Sequence, residues 1–99
     1  VVVLFAVSDP DKGFHGGVTG FLVERGTPGF SAGQKFDKMG LRTSPVGELV
    51  FEDVIVPDSA VLGAVGGGVS VFGSAMDWER SLLVAEGLGS GSVPVRWAA

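Results

Sequence analysis

The sequence predicts a mainly β fold: a small antiparallel barrel-like or sandwich-like domain followed by one α-helix. Three observations predict it. Short apolar runs rich in β-branched residues alternate with clusters of Gly, Pro, Asp and Ser, the pattern of strands joined by turns. The chain holds 17 glycines in 99 residues, many for a helical protein. Only one stretch, residues 69–83 (VSVFGSAMDWERSLL), has helical periodicity.

Taken in order, residues 1–7 (VVVLFAV) form a continuous apolar run and read as a strand buried on both faces. Ser8, Asp9, Pro10, Asp11, Lys12 and Gly13 are turn chemistry. The loop runs on through Phe14, His15, Gly16 and Gly17. Residues 18–24 (VTGFLVE) are a second strand, and Arg25 to Gly29 a turn. Residues 30–35 are a short strand, and residues 41–44 are expected to be extended before Pro45 interrupts them. Residues 47–56 (GELVFEDVIV) alternate most clearly, with Leu49 and Phe51 on one face and Glu48, Val50 and Glu52 on the other. Asp53 breaks the alternation, which predicts a bulge or tight bend before residues 54–56 resume the strand. Pro57 stops it. Arg42 is expected to pair with Glu48 or Glu52 across a hairpin. Residues 60–63 close the β region, and 63–68, with four glycines, read as a hinge-like linker. Gly66, Gly67 and Gly68 before a helix are not a phosphate loop, because the lysine and the glycine spacing are missing. The helix follows, and Gly87, Gly89 and Gly91 are expected to end it.

Composition narrows the class. A hydrophobic fraction of 45% against 18% charged excludes a disordered chain. The net charge is −4 and the basic residues do not cluster, which disfavours nucleic acid as a partner. There are no cysteines, so disulfides and thiolate metal sites are absent, and one histidine cannot build a histidine metal site. The opening apolar run is too short to span a membrane and lacks the basic flank of a signal peptide. The expected setting is the cytosol or an organelle matrix. The chain starts at Val1 inside an apolar run and ends in SVPVRWAA, so it is expected to be a piece of a larger protein and a marginal folder alone.

The helical stretch carries the chemistry. Val69, Phe72, Met76, Glu79 and Leu83 recur at spacings of three and four and share one helix face. A carboxylate desolvated on such a stripe becomes a stronger base, the condition for a general base near neutral pH. The alternative is a glutamate snorkelling to the surface from the stripe's edge, and spacing does not choose between the two. Arg80 points about 100° away around the helix and is not an automatic partner.

Three stretches in this order resemble the acyl-CoA dehydrogenase family. The first is Thr19-Gly20-Phe21-Leu22-Val23-Glu24, followed by Gly26-Thr27-Pro28-Gly29-Phe30. The second is Lys38-Met39-Gly40-Leu41-Arg42-Thr43-Ser44, then Glu48-Leu49-Val50-Phe51-Glu52-Asp53-Val54 and Val56-Pro57. The third is Leu62-Gly63, Gly68-Val69 and Asp77-Trp78-Glu79-Arg80. The resemblance covers residues 1 to about 89. Residues 90–99 do not share it, which is expected of a truncated, frame-shifted or altered end.

The resemblance implies that residues 1–62 are the middle β domain, incomplete at its N-terminus. Residues 63–99 would be the linker and first helix of the C-terminal helical domain, truncated. It implies an FAD-dependent enzyme that oxidises acyl-CoA to 2-enoyl-CoA. A carboxylate removes the α-proton and the β-hydrogen leaves as hydride to the flavin. Glu79 matches the catalytic glutamate of the minority of members, isovaleryl-CoA dehydrogenase among them, that carry it on this helix. Asp77, Trp78, Arg80 and Ser70 match substrate-lining positions. His15 and Gly16 match a loop that touches the pantetheine or CoA phosphates. No cofactor-binding residue of the family is matched within the chain. The implied partners are an acyl-CoA, an electron-transfer flavoprotein or similar acceptor, and three further copies in a homotetramer. The isolated chain is expected to be inactive. The alternative to an enzyme is a non-catalytic β-barrel interaction or binding module.

Overall fold

A computed structural model describes the backbone of residues 1–98 and the side chains of residues 1–89. Its strands are β1 (Val2–Val7), β2 (Val18–Val23), β3 (Phe30–Lys35), β4 (Gly47–Phe51) and β5 (Val61–Leu62). A four-residue helix, α1 (Phe14–Gly17), precedes β2, and a long helix, α2 (Gly68–Ala98), closes the chain. The strands form two antiparallel sheets, one of order β1-β2-β5 and one pairing β3 with β4. This is the expected mainly β fold with one long helix at its end. Among the described residues the sheets do not close into a barrel.

The register between β1 and β2 places Val2 opposite Val23, Leu4 opposite Phe21 and Ala6 opposite Thr19. These residues share one sheet face, because partners across a ladder point the same way. Leu4, Ala6, Phe21 and Val23 meet Phe51 of the second sheet, and Val54 and Val56 of the segment after it, across an apolar cleft of about 240 Å³. Val23, 1% exposed, is the buried centre of this face. Phe30 and Phe51 stack with ring centroids 4.8 Å apart and staple β3 to β4.

The other face carries α2. Phe5 lies over Gly20, where a side chain would crowd the ring, and Phe72 meets Phe5 edge-on with centroids 5.5 Å apart. Val18, Phe14, Gly68 and Val69 complete this patch. β1 is nevertheless an edge strand, and Val3 is 53% exposed, so it is not buried on both faces as its composition suggests. An unbroken apolar run marks burial on both sides only where strands flank it and layers cover it.

Other expectations fail for local reasons. Residues 41–44 are a turn, not extended: Leu41 adopts φ +49° and the Ser44 amide donates to the Leu41 carbonyl. That turn directs Arg42 back along its own loop, where its Nε donates to the Lys38 carbonyl at 3.0 Å and its guanidinium lies 3.9 Å from Asp37. It therefore does not reach Glu48 or Glu52. The bend at Asp53 is present, with φ +50°, but it ends β4 at Phe51, and residues 54–56 do not resume a strand. Gly87 and Gly89 do not stop α2. Neither takes the left-handed conformation that caps a helix, and glycine in a helix interior only weakens it, by about 1 kcal/mol. The unmatched residues 90–99 lie outside the described side chains.

Gly29 sits at φ +84° in the turn before β3, and a Cβ there would run into the Glu52 carbonyl. The Glu52 amide in turn donates to the Gly29 carbonyl at 2.9 Å. Gly26 shares the positive φ but faces open space. Urea unfolding of the two alanine variants separates the effects: Gly26→Ala costs about 1 kcal/mol and Gly29→Ala at least about 3 kcal/mol. Equal losses would show that the Glu52 carbonyl yields.

Candidate functional site

The residues singled out by sequence fall at two places. His15 and Gly16 lie in α1, the short helix that fills the β1–β2 connection. Asp9 accepts from the Asp11 amide and pairs with Lys12 at 3.2 Å, and the Ser8 and Asp9 amides both donate to the Gly17 carbonyl. The loop is thereby closed on itself. His15 is exposed, with its ring 5.6 Å from that of Phe14, while Phe14 turns toward Val69 and Phe72 of α2. The His15–Gly16 turn thus abuts the start of the long helix.

Ser70, Asp77, Trp78, Glu79 and Arg80 all stand on α2, on different faces. Ser70, Ser74 and Trp78, four residues apart, line one open depression, and Trp78 is 72% exposed there. Glu79 lies about 180° around the helix from Ser70. It is on the side that Phe72 presents to the sheet, yet about 10 Å further along the axis. The sheet ends short of it, so Glu79 is exposed and its carboxylate makes no hydrogen bond or ion pair with another described residue. The expected stripe is real in spacing but is covered only at its N-terminal end. Val69 and Met76 are half-buried, and Phe72 and Leu83 are exposed. No ion pair joins Asp77 to Arg80; the Asp77 carbonyl accepts from the Ser81 hydroxyl at 2.7 Å. No group of His, Asp or Glu among the described residues is arranged to hold a metal ion. No helix among them is long and apolar enough to cross a membrane.

Sequence reasoning missed Thr19. It is fully buried, and its Oγ1 lies 2.7 Å from the Ser8 hydroxyl and accepts from the Gly66 amide at 2.8 Å. The linker at 63–68 is therefore pinned, not a free hinge. Gly66, at φ +78°, lies against the Gly16 carbonyl, and Gly68 against that of Val18, too close in both cases for a Cβ. The sequence shows it as a lone hydroxyl in an apolar strand and does not show its partners.

The arrangement defines a class: a two-sheet β domain that delivers a long helix carrying an exposed Asp-Trp-Glu-Arg segment. Residues 1–54 match the acyl-CoA dehydrogenase middle domain. The chain belongs to the acyl-CoA dehydrogenase family. It is 45% identical over 89 residues to the short-chain-specific acyl-CoA dehydrogenase of Megasphaera elsdenii, covering 90% of this chain and 23% of that protein. It is 47% identical over 88 residues to the mitochondrial isovaleryl-CoA dehydrogenase of Oryza sativa subsp. japonica, covering 89% of this chain and 21% of that one. The solved structure of PigA with FAD and proline superposes with a TM-score of 0.77 at 38% identity, over 82% of this chain and 21% of that chain. The chain spans less than a quarter of the length of these relatives. A match of 88 residues within 99 takes in the whole Asp77–Arg80 segment.

The Phe5–Phe72 contact is an aromatic tie between α2 and the sheet. Phe72→Ala is expected to lower stability by about 1–2 kcal/mol, since an aromatic pair adds to the area it buries. Thermal melting of the 99-residue chain followed by circular dichroism checks this. No loss would mean that the helix docks through its backbone near Gly66 and Gly68 alone.

Proposed function

We propose that this chain is the part of a flavin-dependent acyl-CoA dehydrogenase that carries its general base, Glu79. The whole enzyme oxidises an acyl-CoA to the 2-enoyl-CoA. One observation supports this above the others. Glu79 stands exposed on α2 beyond the edge of the sheet, inside a segment similar to isovaleryl-CoA dehydrogenase. A carboxylate so placed is free to be covered by substrate. An acyl-CoA entering over it would exclude water, strengthening the base at the moment it is needed. The Glu79 carboxylate takes the α-proton of the thioester. Trp78 and Ser70 offer an aromatic wall and a hydroxyl along the neighbouring helix face. Arg80 offers a cation to the nucleotide end of CoA, Asp77 flanks it, and the His15–Gly16 turn stands near the start of α2 for the pantetheine or phosphates. In this reading residues 1–62 form the middle β domain and 63–99 open the helical domain.

FAD supplies the acceptor for the β-hydride in such an enzyme. The described residues do not form a cradle for it. Their depressions are open, and every buried polar side-chain atom already has a partner. The flavin contacts are therefore assigned to the rest of the parent protein. So are the acceptor, an electron-transfer flavoprotein or similar carrier, and the homotetramer contacts. The bacterial cytoplasm or mitochondrial matrix is the setting that fits.

The test uses a chimera in which this chain's matching segment replaces that of the rice isovaleryl-CoA dehydrogenase. Glu79→Gln keeps the shape of the side chain and removes the base. It is expected to slow exchange of the substrate α-proton with deuterium oxide by about 10²–10⁴-fold, with acyl-CoA binding retained. Exchange near the original rate would move the base to another carboxylate and leave Glu79 as a lining residue. The 99-residue chain alone leaves Glu79 in solvent and is expected to catalyse no such exchange. Measurable exchange by the isolated chain would overturn that part of the reading.

A further inference from the structure

The sheet and the helix that carries Glu79 are joined by a continuous line of hydrogen bonds. The Ser8 hydroxyl donates to the Gly17 carbonyl at 3.2 Å. Ser8 and Thr19 share a hydrogen bond of 2.7 Å in which either hydroxyl can donate. In either case Thr19 Oγ1 keeps a lone pair for the Gly66 amide, from which it accepts at 2.8 Å. The line joins the Gly66 amide, the Thr19 hydroxyl, the Ser8 hydroxyl and the Gly17 carbonyl.

Its ends matter. Gly66 lies two residues before α2 begins, and Gly17 is the last residue of α1. Around it the backbone is packed without slack, because Gly66 touches the Gly16 carbonyl and Gly68 the Val18 carbonyl. We propose that Thr19 is a positioning residue: its buried hydroxyl fixes where α2 leaves the sheet, and so where Glu79 and Trp78 stand over the acyl thioester. This rests on the reading of Glu79 as the base. A helix acts as a lever, and Glu79 sits about 17 Å along it from its first residue, Gly68. A small change of angle at the anchor becomes a displacement at the carboxylate, and a 1 Å misplacement costs up to about 10²-fold in rate.

Two variants test it in the chimera described above. Thr19→Val keeps the shape of the side chain and loses the hydroxyl; Thr19→Ser keeps the hydroxyl. Thr19→Val is expected to lower kcat about ten- to a hundred-fold, with KM within about twofold. Deuterium uptake should rise in the peptide spanning Gly66 to Phe72 and stay unchanged in the β3–β4 peptide, which controls for general loosening. Thr19→Ser is expected to restore both rate and protection. Unchanged uptake at Gly66 in Thr19→Val overturns the proposal, whatever the activity. Raised uptake with unchanged kcat also overturns it, since the anchor would then not reach the chemistry. A failure of Glu79→Gln to slow proton exchange counts against the base instead, and the uptake measurement reads the anchor independently of it.

Discussion

The buried hydroxyl of Thr19 is the constraint on which the rest of the structure turns. It occupies the central strand of the larger sheet, where an unpaired polar group is costly to leave dry. It finds partners on both sides: a turn residue from the connection before it and a backbone amide from the linker more than forty residues later. Two pieces of chain distant in sequence are thus fixed to one atom. The β1–β2 loop, the glycine linker and the first turn of α2 form one unit because of it. The apolar contacts of Phe5, Phe72, Phe14 and Val69 then have only to cover what the hydrogen bonds have already aligned.

Between the two sheets the packing is thin. Val23 and Thr19 are the largest fully buried side chains among the described residues. The second sheet and the segment that follows it rest on the first through one apolar cleft, and a stacked aromatic pair supports the β3–β4 ladder. Local order here depends on turns with demanding backbone geometry, at Gly29, Leu41 and Asp53, more than on depth of core. Among the described residues the helix is held only near its N-terminal end. Its docked turns are organised and its exposed length carries the reactive side chains, an arrangement in which rigidity and accessibility are separated along a single element.

Much of the fold was legible in the residues. The turn clusters before β2 and β3 bounded those strands well, and the break in alternation at Asp53 marked the reversal that φ +50° confirms. The start of α2 followed from periodicity. What stayed hidden depended on tertiary partners. The composition of β1 could not reveal that it lies at an edge. Leu41 and Arg42 looked extended because their turn relies on a left-handed non-glycine residue, a conformation that residue type does not announce. The glycines at 87 and 89 are weak helix formers, and weakness is not a stop. Of the candidate site, the shared segment on α2 was visible as spacing, whereas the exposure of Glu79 follows from where the sheet ends. Thr19 was unreadable as an anchor because its partners lie in loops.

The edge position of β1 has a colloidal consequence. A strand edge presents a row of unpaired amides and carbonyls, and here Val1, Val3 and Val7 stand exposed beside it. Lysine, proline or a bulge usually blunts such an edge, and residues 1–7 carry none of these. Two copies meeting along it could extend each other's sheet without changing either fold. Wherever it is left bare, this short valine-rich ribbon is a template to which another strand can add.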